Sequence, residues 1–231
     1  MSVIVGYNLN INGLVTYFDA LNPRSYPGTG PTWFDISQYK NNTSVSNVIY
    51  ESSPISNFYS DGQFTSYIDF QSPNLAGTAT VEVICKFITL TPYLNAIFGW
   101  DQYWVGVFNS PSIMFYTTED GANNRMDTSI TFNTGEWYYF VFEMRSDVSF
   151  TNNKMWVNGT EQILNHVNSE TVSNRNFNSG LGRMSSYNDM DPSFNYTGNN
   201  NYSMFRVYNR ALSQQEITDN YNHFKPIFNL T

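Results

Sequence analysis

Side chains that could perform chemistry are few in this chain. Its two histidines, His166 and His223, lie in a polar stretch and beside the apolar stripe of an amphipathic segment, and neither has ligand-like neighbours. Nucleophilic triads, zinc sites and phosphate-binding loops therefore lack a matching motif. A glycosidase needs two carboxylates that face one groove, yet no predicted strand carries acids at alternate positions. Glu143 instead shares a strand face with Arg145, which predicts an ion pair, and the sequence predicts no enzyme.

Loop side chains that carry oxygen atoms make calcium the inorganic ligand to consider, because this ion takes hard oxygen ligands. Three such side chains fall within one short stretch, at Asn188, Asp189 and Asp191. Residues 19–22 and Asp35 offer others. Asn and Asp are also the ordinary residues of turns, so a calcium site and a plain turn are both open interpretations.

Aromatic residues flank a short turn in the middle of the chain, at Trp100, Tyr103 and Trp104, with Asp101 in the turn itself. Such rings can stack on the faces of sugars, and the carboxylate can accept hydrogen bonds from hydroxyl groups, which predicts a ligand-binding platform. Filling of the core is the alternative. Period-two alternation places Tyr103 and Trp104 on opposite faces of their strand, so the core takes at most one of them.

The elements that must position these residues are predicted to be strands. Apolar and polar residues alternate in short runs separated by Gly, Pro, Asn and Asp, as in strands joined by turns. Asn158-Gly159 predicts a type I′ hairpin, and Asp101-Gln102 a second tight hairpin. So many strands require two packed sheets. The inward faces of two long strands are predicted to carry Val81, Val83, Cys85 and Phe87, and Tyr138, Phe140, Phe142 and Met144.

One helix is predicted near the end of the chain, over residues 213–224. Ser213 and Glu216 form a capping box, and Leu212 with Ile217 forms a hydrophobic staple around it. Pro226 is expected to stop the helix. The apolar stripe of the helix should pack against the sheets as a lid.

Composition agrees with one all-β domain over residues 1–231, with residues 1–12 as an arm or strand. Of the 231 residues 17% are aromatic and only 13% are charged, a balance that favours strands and a polar surface over solvated helices. Cys85 is the single cysteine, so no internal disulfide can form, and its side chain is expected in the core.

The charge and the apolar pattern exclude several kinds of partner. A formal net charge of -8 argues against nucleic acid and against an anionic membrane, since both need a basic patch. No run approaches the roughly 20 apolar residues of a membrane helix. The first residues, MSVIVGY, have neither the basic region nor the apolar stretch of a signal peptide, which predicts synthesis in a cytoplasm without Sec export.

Three parts of the chain carry longer motifs. The first comprises residues 13–20 (GLVTYFDA), 22–30 (NPRSYPGTG) and 32–37 (TWFDIS). The second comprises residues 205–213 (FRVYNRALS), with Glu216-Ile217 and Asn220-Tyr221. The third is a central hairpin, from residues 135–138 (GEWY) to 155–159 (MWVNG). Together they resemble the laminin-G-like or concanavalin-A-like lectin/glucanase superfamily, in the short form common among bacteriophage structural proteins.

This resemblance spans nearly the whole chain and implies a jelly-roll sandwich of two antiparallel sheets. The family's Gly-Asn-Gly segment after the Trp-x-Asp-x-Ser motif is replaced here by residues 38–42 (QYKNN), so the resemblance does not extend to binding by that loop. The same sandwich serves lectins, hydrolases and virion components, and it does not by itself define a function.

The resemblance implies a virion surface protein, as a capsid decoration protein or a head or tail fibre component, made in the host cytoplasm and located in the virion. Its expected partners are capsid or tail proteins, cell-surface glycans and further copies of the chain. A free carbohydrate-binding lectin module is the alternative, and a glycoside hydrolase is the third hypothesis.

Overall fold

The computed structural model of the chain describes residues 9–45, 47–63, 65–72, 75, 77–90, 94–100, 103–108, 113–117, 124–145, 152–166, 181–186 and 197–231. Within these residues two antiparallel sheets pack face to face, and one helix covers the outer face of the first sheet. This is the predicted all-β jelly-roll sandwich with one helix near the end of the chain.

The first sheet has eight strands in the described part of the chain. In spatial order they are β14 (Thr160–Glu161), β13 (Lys154–Val157), β12 (Trp137–Arg145), β7 (Thr78–Phe87), β17 (Asn199–Tyr208), β5 (Asn57–Asp61) and β4 (Ile49–Glu51), with β1 (Leu14–Asp19) also paired to β17.

The second sheet has seven strands among the described residues. In spatial order they are β15 (Leu164–His166), β11 (Asn124–Thr128), β10 (Ile113–Thr117), β9 (Tyr103–Phe108), β8 (Leu94–Trp100), β16 (Leu181–Met184) and β6 (Ile68–Gln71). A two-stranded arm of β2 (Thr32–Trp33) and β3 (Thr43–Ser44) lies beside β6.

The core lies between the two sheets, because alternate residues of each long strand point inward. The inward faces predicted for β7 and β12 are confirmed, and Cys85 is fully buried among them. The opposite face of the same strands is also buried, because Ile84, Tyr139 and Val141 pack beneath the helix.

Both predicted hairpins are confirmed by the strand pairing. β13 and β14 are joined by Asn158 and Gly159, whose φ angles of 48° and 79° are the positive values that a type I′ turn requires. β8 and β9 pair with Trp100 opposite Tyr103, while Asp101 and Gln102, which join them, lie outside the described residues.

Helix α1 (Gln214–Phe228) begins as predicted. The hydroxyl of Ser213 accepts a hydrogen bond from the backbone N–H of Glu216, and the Glu216 carboxylate accepts one from the backbone N–H of Ser213. Leu212 and Ile217, which form the staple, are both buried against the first sheet. The capping box therefore fixes the start of the helix, and the staple fixes its approach to the sheet.

The predicted end of the helix is wrong, because Pro226 lies inside the last turn and does not stop it. A proline there forfeits one backbone hydrogen bond. Phe228 offsets this loss, since it is buried and its ring lies 5.2 Å from that of Trp137. The helix ends at Asn229, which adopts the left-handed conformation and donates its N–H to the Lys225 carbonyl.

The helix is too short and too polar to cross a bilayer, and the described residues contain no other helix that could do so.

Candidate functional site

The edge strand β6 presents a polar outer face next to the two-stranded arm. Ile68 and Phe70 point into the core, where they are 0% and 2% exposed. Strand alternation then places Tyr67, Asp69 and Gln71 together on the outer face. On the neighbouring strand β16, Gly182 lies opposite Phe70, so Leu181 and Arg183 share that outer face.

A cavity of about 380 Å³ opens between this face and the arm, and we call it the edge pocket. Its volume lies within the range of small-molecule sites, roughly 300–1,000 Å³. Four of its polar side chains, those of Asn42, Ser44, Asn47 and Gln71, are exposed. The described residues that line it are Asn42, Thr43, Ser44 and Asn47 from the arm and the residues next to it, and Tyr67, Asp69, Phe70, Gln71 and Leu181 from the sheet.

Arg183 organises the sheet side of the edge pocket. It lies directly across from Asp69, to which Nε donates a hydrogen bond of 2.7 Å, with Nη2 3.4 Å from the second carboxylate oxygen. The guanidinium carbon also lies 3.5 Å from the centre of the Tyr67 ring. One cation therefore holds a carboxylate and an aromatic ring in fixed positions at the cavity wall.

Asp35 organises the arm side of the edge pocket. Its Oδ1 accepts hydrogen bonds from the backbone N–H groups of Tyr17 and Ser37, and Oδ2 accepts them from the Ser37 hydroxyl and the Asn41 N–H, all between 2.8 and 2.9 Å. The Asp35 N–H in turn donates to Oδ1 of Asn42 at 3.0 Å. Asn42 is thus held by its oxygen, and its amide nitrogen is left to serve the cavity.

This arrangement also explains the role of Asp35, which the sequence offers as a calcium ligand. All four donors to its carboxylate belong to the protein, which is the pattern of a loop-forming aspartate. The loop that it holds includes residues 38–42, which replace the Gly-Asn-Gly segment of the family. Asn42 from this loop nevertheless lines the edge pocket.

The predicted aromatic platform is only partly within the described residues. Trp100 is fully buried, with edge-to-face contacts to Phe70 and Phe98 at 5.4 and 5.7 Å. Trp104 points to the outer face of the second sheet but is only 2% exposed. The structure therefore does not bring these two indoles to the surface, as stacking on a sugar requires. Asp101 and the side chain of Tyr103 lie outside the description, and the platform stays a prediction for them.

Trp104 and the edge pocket nevertheless belong to the same face. Trp104 is in cross-strand register with Gly99, Gly99 with Arg183, and Arg183 with Asp69. This row runs across four adjacent strands of the second sheet.

The predicted calcium ligands Asn188, Asp189 and Asp191 lie outside the described residues, and a calcium site there stays a prediction. The residues that flank their segment on both sides, 181–186 and 197–198, lie within the described part of the chain. Ser186 bridges to Thr197, and the Gly198 N–H donates to the Ser185 carbonyl at 2.7 Å. In the part of the chain that the structure covers, no group of His, Cys, Asp and Glu side chains could hold a metal ion.

Glu143 and His223, which also could perform chemistry, each contact a neighbouring side chain. Arg145 Nη1 lies 3.4 Å from Glu143 Oε1, which confirms the predicted ion pair. The His223 ring contacts Phe224 on α1, and burial together with the positive charge of Arg206 lowers the pKa of its imidazole. The side chain of His166 lies outside the description.

A second cavity, of about 420 Å³, is lined in part by residues 36–38 of the loop held by Asp35. Several of its polar atoms already have protein partners. The Tyr17 hydroxyl donates to Asp19, the Ser37 hydroxyl donates to Asp35, and the Asn22 side chain accepts from the Arg24 N–H. The edge pocket is the better candidate, because it combines an aromatic ring, a carboxylate and exposed amides.

Sequence reasoning missed the edge pocket. The alternation from Tyr67 to Gln71 shows that three polar or aromatic side chains share the outer face of β6. Their partner Arg183 lies 114 residues further along from Asp69, and no local pattern connects the two.

Two antiparallel sheets with a core between them, a capped helix on one outer face and a polar cavity at a sheet edge define a lectin-like jelly-roll domain. The sequence model of the concanavalin A-like lectin/glucanases superfamily, Laminin_G_3, matches residues 61–218. The chain belongs to this superfamily. No curated protein sequence matches it.

Solved structures with the same fold include binding domains of toxins and an enzyme. The receptor-binding domain of botulinum neurotoxin type G is 12% identical, with a TM-score of 0.65 over 92% of this chain and 51% of that one. The binding domain of botulinum neurotoxin DC in complex with SialylT is 9% identical, with a TM-score of 0.65 over 92% and 52%. Trypanosoma rangeli sialidase in complex with the inhibitor DANA is 11% identical, with a TM-score of 0.62 over 90% and 32%.

At these identities the likeness concerns the fold alone. The chain spans about half the length of the toxin binding domains that it matches.

Proposed function

We propose that this domain is a non-catalytic carbohydrate-binding module and that the edge pocket holds the sugar. The observation that carries the proposal is the composition of the pocket wall. It places the Tyr67 ring, the Asp69 carboxylate and exposed amides around one cavity. An aromatic ring packs against the C–H groups of a sugar, while carboxylate and amide groups exchange hydrogen bonds with its hydroxyls.

Preorganisation supports the proposal. Asp69 and Tyr67 are held by Arg183, and Asn42 is held by the Asp35 loop. A ligand therefore does not have to order these side chains, which lowers the entropic cost of binding. The complex of a toxin binding domain with SialylT is consistent with glycan binding by this fold.

A glycan array with the whole chain tests this function. The proposal expects binding to one or more saccharides, and Tyr67→Ala and Gln71→Ala should each weaken it by about tenfold, equal to roughly 1.4 kcal/mol. Tyr59→Ala is the matched control, because Tyr59 lies on β5 in the other sheet. Equal loss in Tyr59→Ala, or full binding by both pocket variants, would place the sugar elsewhere.

Binding without catalysis is proposed because Asp69 is the only carboxylate among the described residues that line the cavity. Hydrolysis of a glycosidic bond ordinarily requires two carboxyl groups about 5–10 Å apart. Because a sialidase shares this fold, the glycoside hydrolase hypothesis is tested as well. Oligosaccharides incubated with the chain should be recovered intact, and shortened products that disappear in Asp69→Asn would contradict this part of the proposal.

We further propose that the domain works on the surface of a virion, as a capsid decoration protein or a head or tail fibre component. The support is the resemblance of the motifs at both ends of the chain to those of bacteriophage structural proteins. The net charge of -8 favours a soluble exterior. Mass spectrometry of purified particles should detect the chain, and electron cryomicroscopy should place it on capsid or tail proteins. Its absence from intact particles would contradict the virion role and leave the lectin role standing.

A further inference from the structure

We infer that the edge pocket selects neutral saccharides over acidic ones, and that the Asp69–Arg183 pair sets this selectivity. The inference rests on the proposed function of the pocket and adds the chemical class of its ligand.

The cavity wall carries a negative charge. Among the described lining residues Asp69 is the only charged group. An acidic sugar in the pocket would meet this carboxylate at short range, and like charges repel there. The net charge of -8 on the whole chain acts in the same direction at longer range.

The cation that pairs with Asp69 is already occupied. The guanidinium of Arg183 donates to both carboxylate oxygens of Asp69 and stacks on Tyr67. Its side chain is only 14% exposed, whereas that of Asp69 is 36% exposed. A ligand therefore meets the negative partner of this pair more readily than the positive one.

The hydrogen-bonding character of the lining also favours a neutral ligand. Amides both donate and accept, and a carboxylate only accepts. This set matches sugar hydroxyls, which do both. A ligand carboxylate could use only the donors and would leave Asp69 facing an acceptor. The lining thus fits a neutral polyol.

Paired ligands that differ mainly in charge test the inference: the methyl ester of sialyllactose against sialyllactose, and the trimethyl ester of trigalacturonate against trigalacturonate. Calorimetry should show that the wild-type chain binds the neutral member at least about tenfold more tightly than the acidic member. The affinity for the neutral member should change little between low and high salt. Asp69→Asn keeps the shape of the side chain and removes its charge, which frees the charge of Arg183. This variant should bind the neutral member more weakly and the acidic member more tightly than wild type does, and the second effect should fade in salt.

Asp219→Asn is the matched control. It makes the same substitution at an exposed position of α1, on the other sheet, and should leave both affinities unchanged. If Asp69→Asn does not fold, the wild-type comparison of neutral and acidic members still decides. Tighter binding of the acidic members by wild type would overturn the inference while the proposed function stands. Binding of no saccharide on the array or in calorimetry would overturn both.

Discussion

Arg206 and Glu82 form an ion pair beneath helix α1, with 3.4 Å between Nη1 and Oε2 and both side chains at most 1% exposed. They lie directly opposite each other on β17 and β7. Glu82 Oε1 accepts hydrogen bonds from the Tyr139 hydroxyl and the Asn220 amide, and Arg206 Nη2 donates to the Tyr17 hydroxyl. The pair therefore ties three further elements, β12, α1 and β1, to the centre of the first sheet.

Arg206→Met should destabilise the domain strongly, because it leaves the Glu82 carboxylate buried without its counter-charge. Removing one member of a buried pair costs about 3–5 kcal/mol. Urea denaturation measures the loss as a lower midpoint at an unchanged slope. The double variant Arg206→Met with Glu82→Met should recover part of the stability, since two apolar side chains replace two charges.

The control for this prediction is Lys154→Met, which removes an exposed pair. Lys154 lies 3.8 Å from Glu161, and both side chains are about half exposed. Its loss should cost less than about 1 kcal/mol. Equal costs for Arg206→Met and Lys154→Met would show that the network does not hold the helix and sheet together.

Acid should weaken the start of helix α1 through Glu216. The hydrogen bonds from Arg210, at 2.6 and 3.0 Å, lower the pKa of this carboxyl to about 2, against an ordinary value of 4.5. Because the folded pKa is the lower one, the stabilisation is complete above about pH 4.5 and is lost as the pH falls toward 2. Urea midpoints measured between pH 7 and pH 2.5 should fall less steeply in Glu216→Gln than in wild type. Asp219→Asn should keep the wild-type slope, and parallel slopes for all three proteins would refute the assignment.

Gly198→Ala should disrupt the base of the segment that carries the predicted calcium ligands. A Cβ at this position would lie 2.1 Å from the Ala96 carbonyl oxygen, which is backbone and cannot rotate away. Forced overpacking of this kind costs about 1–3 kcal/mol or more. Gly135→Ala is the control, because its Cβ meets nothing within 4 Å and bears only the cost of a positive φ of 82°. Thermal unfolding should show the larger loss for Gly198→Ala, and the reverse order would contradict the prediction.

The parts of the fold that could be predicted are those that local patterns determine. Alternation in β7 and β12 defines their inward faces, and the Ser213 capping box sets the start of α1. The prediction that Pro226 ends the helix was wrong because the rule that proline ends a helix is local, whereas the burial of Phe228 depends on the sheet beneath it.

The candidate site could not be predicted because it too depends on contacts between distant parts of the chain. Tyr67 and Asp69 follow a visible alternation, but their orientation depends on Arg183, and the loop that carries Asn42 depends on the buried Asp35. The sequence instead predicted a binding platform at the aromatic turn, because Trp100 and Trp104 are of a residue type that can stack on sugars. Aromatic residues fill cores as readily as they bind ligands, and sequence spacing does not separate these roles.

Trp104→Ala tests whether this residue stabilises the fold or binds a ligand. Because the indole is 2% exposed, its removal should cost about 3–5 kcal/mol of folding free energy, as other large buried side chains do. Trp104→Phe should recover much of this stability. Saccharide affinity, measured per folded molecule below the unfolding transition, should stay at the wild-type value in both variants, since the proposal places the ligand in the edge pocket and not on the indole. Loss of affinity in Trp104→Ala at wild-type stability would instead restore the aromatic platform as the binding site.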